Sequence, residues 1–211
     1  MTYADVFSRV RRHLNDLEQI PRWSDAALRG YAGTVLRRMA EVAPHSCSVI
    51  RDVSLQAGSL QPLPTWAVRF LGGVSRTTDG KSVRNVSPEV MDNVLPGWRD
   101  DDPDDEITDC IYDQAVPGEF SVYPPALAGT RLRVRGALRA DDPATNDDDI
   151  PVNAVNEIAL LHGLLAMCFS EDTDTGDLQL ASQHWGQFYE SLGVQRQVDA
   201  ANPPAAKDDQ G

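Results

Sequence analysis

Long hydrophobic runs are missing from this chain. The longest, Ile158 to Phe169, is interrupted by His162 and Gly163. It falls well short of the roughly 20 residues that cross a bilayer, so no membrane partner is expected and the run reads as a core helix. Cysteine is scarce as well: Cys47, Cys110 and Cys168 are odd in number and widely separated, which excludes a disulfide framework and a zinc knuckle and fits a reduced protein. Positive charge is outweighed, with 19 Lys and Arg against 32 Asp and Glu and a net charge of -13. A general nucleic-acid binder needs a basic surface to release counterions from phosphates, so that class is disfavoured. The opening MTYADVFSRVRRHL has no apolar core and no small-residue cleavage site, so no export signal is expected.

Catalytic patterns are absent too. His13, His45, His162 and His184 show no metal-ligand spacing. His45 and Cys47 read as a surface residue beside a buried thiol, and His162 as a hydrogen-bonded core or interface histidine. There is no G-x-S-x-G elbow and no phosphate-cradling loop; Gly72 and Gly73 fall inside a strand with no helix after them. The block Asp100, Asp101, Asp102, Asp104, Asp105 and Glu106 lacks the ligand alternation and central glycine of an EF-hand. The expectation is no enzyme, with no catalytic residue, no metal and no cofactor.

What is present is structural. A chain of 211 residues with 41% hydrophobic content supports one domain over residues 1–195 whose core needs no staples. Helical periodicity predicts helices over 3–18, 25–42, 151–169 and 176–192, the second capped by Ser24 and the third apolar nearly all round. Residues 47–139 turn to β-branched and alternating patterns. Asp79-Gly80, Pro117-Gly118 and Gly129 mark turns, and Tyr123-Pro124-Pro125 is expected to stop strand pairing. The predicted fold is α+β: an antiparallel helical bundle of two N-terminal and two C-terminal helices, with a small antiparallel β-sheet inserted between them. Residues 196–211 are too poor in apolar side chains to fold alone and are expected to be flexible or ordered by a partner.

The segment IYDQAVPGEFSVYPPALAGTRLRVRGALR carries the clearest alternation. Leu132, Val134 and Leu138 share one face, and Arg131, Arg133, Arg135 and Arg139 the other. Four like charges on one strand face repel one another unless carboxylates lie close. In so acidic a chain, the face reads either as plain solvent-exposed surface or as an ion-paired subunit interface. Trp98, after Pro96-Gly97, reads either as an exposed recognition aromatic, and so a further interface candidate, or as a loop tryptophan folded over the sheet edge. The Asp100–Asp105 residues and the run Asp141, Asp142, Asp147, Asp148 and Asp149 read as solvated acidic loops.

Taken in order, several segments resemble the head-to-tail adaptor proteins of tailed phages, the group that includes the tail tubular protein A or gatekeeper of short-tailed phages. They are IPRWSDAALRGYAGTVLRRM, the QPLP after the first strand, GKSVRNVSPEVMDNVLPGW, IYDQAVPGEFSVYPPALAGTRLRVRGA and the closing HWGQFYESLG. The resemblance implies a structural virion protein at the capsid–tail junction, synthesised in the host cytoplasm. It implies a homo-oligomeric ring, usually a dodecamer, that binds the portal protein on one side and a tail nozzle or tail tube protein on the other. Double-stranded DNA would pass through the middle without specific contacts, and exposed acidic loops are the candidates for lining such a channel. Two other readings are a transient assembly or head-completion factor and a small metal-dependent hydrolase. The last predicts a pocket that gathers His162 or His184 with carboxylates.

Overall fold

The computed structural model describes residues 1–152, 156–171 and 177–193. The expected C-terminal tail lies outside the described residues, as do residues 153–155 of the helix expected over 151–169 and residue 176 of the helix expected over 176–192. Two compact units are present, one of residues 1–46 and 140–211 and one of residues 47–139.

The first unit is helical. Helix α1 (Tyr3–His13) opens with the Asp5 carboxylate accepting the Thr2 N–H at 3.0 Å, which satisfies an otherwise orphaned donor. It stops sooner than its periodicity suggests because Asn15 takes φ +53, a left-handed conformation that asparagine tolerates. The buried Asp16 then gathers the chain, accepting the Arg22 N–H at 2.7 Å and the Trp23 N–H at 3.2 Å, with Arg11 at 3.0 Å neutralising it. Ser24 caps α2 (Asp25–Val42) by accepting the Ala27 N–H.

After strand-rich residues 47–139 the chain forms α4 (Glu157–Glu171) and α5 (Leu178–Ser191), the latter capped by Asp177. Helix α4 is central. Leu160, Leu161, Leu164, Leu165 and Cys168 are all buried, and it packs on α1, α2 and α5. Gly163 is the closest approach: a Cβ there would overlap Val35 of α2 and lie 3.2 Å from Phe188 of α5.

The second unit is built from seven strands: β1 (Ser48–Ser54), β2 (Gly58–Pro62), β3 (Ala67–Arg76), β4 (Arg84–Val86), β5 (Asp109–Ile111), β6 (Glu119–Ala126) and β7 (Arg131–Leu138). A short helix, α3 (Pro88–Val94), follows β4. The strands form two sheets, one ordered β1-β7-β3 and the other β2-β6-β5-β4. Their inner faces share one core in which Phe70 of β3 and Leu132 and Val134 of β7 meet Cys110 of β5 and Phe120 and Val122 of β6. Phe70 and Phe120 stack at 4.3 Å between centroids.

This architecture corrects the expected helical bundle with a small inserted antiparallel sheet. The fold is α+β, but the strands make a sizeable sandwich-like body of two sheets, and the β4–β5 pairing is parallel. The physical reason is a crossing. After the Asp79-Gly80 turn, residues 81–83 pair with β3, as in Arg76 N–H to Lys81 O at 2.9 Å; from Arg84 the chain leaves that sheet and pairs with β5. Asn85 holds the crossing point. Its amide accepts from Gly73 N–H at 2.7 Å and donates to Gly73 O at 2.9 Å, substituting for strand pairing between the sheets.

A second difference lies in β6, which continues through Tyr123-Pro124-Pro125 to Ala126. Prolines lack a donor but keep their carbonyl, and Pro125 O accepts the Asp104 N–H at 2.9 Å.

Candidate functional site

The outer face of the three-stranded sheet carries the arginines. Leu132 and Val134 point into the core, while Arg131, Arg133 and Arg135 are exposed on the opposite side of β7. Arg139 lies just beyond the strand and is also exposed. The register places Asp52 of β1 directly opposite Arg133 and Ile50 opposite Arg135. Arg133 Nε donates to Asp52 Oδ1 at 2.8 Å, and Arg131 approaches Oδ2 at 3.9 Å. Those arginines hold the Asp52 carboxyl below the usual range. Arg135 and Arg139 have no ion pair among the described residues. The like-charge repulsion on β7 is thus relieved in part within the chain, by a residue whose strand alternation gave no hint of its partner.

Trp98 adopts the folded-over one of its two expected placements. It is 0% exposed and unavailable as a recognition side chain. Gly97, at φ +86, turns the chain so that the indole drops onto the outer face of the four-stranded sheet, among Met91 of α3 and Ile111 of β5. Its indole N–H donates to Asp92 at 2.8 Å, and Arg99 lies 4.3 Å from the ring centroid while also pairing with Asp92.

Beside this cluster the same outer face holds a cleft of about 210 Å³. Leu60 of β2 and Val116 line it with Ile111, and Asp113 and Glu119 supply carboxylates. Leu60 and the run Ile111 to Glu119 are far apart in sequence, and the β2–β6 pairing brings them together.

Asp100, Asp101, Asp102, Asp104 and Asp105 are all exposed. The block is nevertheless fastened along β6. Asp104 bridges to Ala126, its carboxylate accepts the Glu106 N–H, and Asp101 lies near enough to help burial raise the Tyr123 phenol. Glu106 reaches the buried Arg76 at 2.8 Å, and Arg76 also pairs with Asp79. In the other acidic run, Asp142 pairs with Arg37 at 2.8 Å.

His162 and His184 come together, with their Nδ1 atoms 3.0 Å apart. Burial lowers both ring pKa values; the charges of His184 and His13 add to the effect at His162. Phe169 stacks on His184, and the Gln187 side chain hydrogen-bonds to it. Among the described residues no cluster of three or more His, Cys, Asp or Glu side chains could hold a metal.

A two-sheet body with charged outer faces has the character of a part that fits against others. Comparison with protein families agrees, matching the SU10 adaptor protein family over residues 1–208. The chain belongs to the SU10 adaptor protein family. As a member, it is a structural protein of bacteriophage virions, an adaptor between head and tail that associates with other virion components. No curated protein matches the chain.

Proposed function

We propose that this protein forms a ring, of twelve copies, between the portal and the nozzle or tube of the tail, and that the genome passes through it. It works by fitting and not by chemistry. The family match over residues 1–208 carries this reading. Physical support comes from the outer face of β7, where Arg131 and Arg133 share the Asp52 carboxylate, Arg135 has no ion pair among the described residues, and the three suit lateral contacts with acidic neighbours. The acidic balance supports passage of DNA, since carboxylates at a channel wall repel phosphates and discourage sticking. Asp100 to Asp105 are exposed candidates for that wall.

Electron microscopy of the purified protein mixed with the portal of the same phage tests the proposal, with the protein alone as control. A ring stacked coaxially on the portal is the expected result. Absence of binding at micromolar concentration refutes it and favours a transient head-completion factor, which would also be missing from purified virions. The double variant Arg133→Glu, Arg135→Glu should lower ring occupancy while leaving the monomer folded by circular dichroism.

A further inference from the structure

The two outer faces of the sandwich are complementary. One is the arginine face, where Arg131, Arg133 and Arg135 outnumber Asp52 and where Ile50, 49% exposed, stands opposite Arg135. The other is the cleft beside α3, where Leu60 and Val116, 55% and 46% exposed, border an apolar floor of Ile111. Its carboxylates, Asp113 and Glu119, have no ion pair among the described residues, whereas Arg99, which also lines the cleft, is already engaged by Asp92, so two carboxylates remain to meet a cation. Because the sheets pack through a shared core, these patches lie on opposite sides of the same body.

We propose that the arginine face of one copy docks on the Leu60/Val116 cleft of the next, with Ile50 entering the cleft and Arg135 meeting Glu119 or Asp113. Each patch repels itself: arginines would face arginines, and carboxylates carboxylates. A symmetric face-to-face dimer is therefore disfavoured. A contact between different patches on opposite sides is heterologous, and such contacts generate closed rings when the rotation closes. The occupant is a second copy and not a nucleic acid, because a phosphate backbone would be attracted to one patch and repelled by the other. This assignment rests on the ring reading above and specifies which surfaces build it.

Directed cross-linking distinguishes the two. The native cysteines are all buried, so surface cysteines react selectively. Ile50→Cys and Val116→Cys in one chain, treated with a short bis-maleimide in the presence of the portal, should give a ladder of covalent oligomers. Each single variant should give no dimer. A dimer from Ile50→Cys alone overturns the proposal by showing a symmetric contact. No ladder from the double variant while microscopy still shows rings overturns it and leaves the ring reading intact; loss of both ring and ladder rejects both. As a second measurement, Arg135→Glu should weaken self-association by about tenfold, and adding Glu119→Arg in the same chain should restore most of the loss. Failure of that restoration removes the pairing of these two surfaces.

Discussion

Replacing Gly73 by alanine probes the point where the two sheets are tied. Gly73 is pinned on both backbone groups by the Asn85 amide and so cannot move away from the core. An added Cβ would overlap the Cys110 sulfur, lie 3.1 Å from Cys110 Cβ and touch Val83 at 3.4 Å. Carbon atoms pack best at roughly 3.5–4.0 Å, and Cys110 is 1% exposed with no room to retreat. Overpacking of this kind costs about 2 kcal/mol. Cys110→Ala alone removes one buried sulfur and costs about 1 kcal/mol. If the clash is the cause, Gly73→Ala with Cys110→Ala should cost about 1 kcal/mol in total and not the sum of about 3. Urea unfolding followed by circular dichroism reads this directly as midpoint shifts at constant slope. Additive losses, or a Gly73→Ala midpoint equal to that of the parent, would refute the packing argument.

Trp98→Ala should destabilise the protein by about 3–5 kcal/mol in the same assay, since it empties a fully buried site and removes the indole hydrogen bond to Asp92; a neutral result would return Trp98 to the surface. The His162–His184 pair makes stability dependent on pH. Burial depresses both folded-state pKa values, so the unfolded chain binds more protons; the stabilisation is present above about pH 6.5 and is lost as pH falls below it. Melting temperature should fall between pH 7 and pH 5.5, and His162→Gln should flatten that fall; an unchanged slope rejects the pairing. Burial pushes the Cys110 and Cys168 thiols up to about 12, so neither should react with maleimide at pH 7 until denaturant is added, as mass spectrometry will show.

Local rules read much of this chain correctly. Ser24 before an apolar stripe marks a capped helix, the apolar circumference of residues 158–168 marks a central one, and strict alternation in RLRVRGAL separates Leu132 and Val134 from Arg131, Arg133 and Arg135. Each depends on neighbours a few residues away, where period and capping chemistry suffice. The family resemblance was legible for the same reason, as an ordered series of local segments. Other features depended on which strand meets which. Alternation says that Val122 and Leu132 each have a buried face but not that they belong to different sheets, so one small sheet was expected where two pack together. Asp52 faces Arg133 across 81 residues, and His162 meets His184 across 22. The burial of Trp98 follows from Gly97 turning it onto a sheet face completed by β5 and β6. Sequence alone located the main helices and the alternating β7, the exposed arginines of that strand and the kinship with phage adaptors. Tertiary structure decided the pairings, because register and sheet membership are set by long-range contacts that no local period encodes.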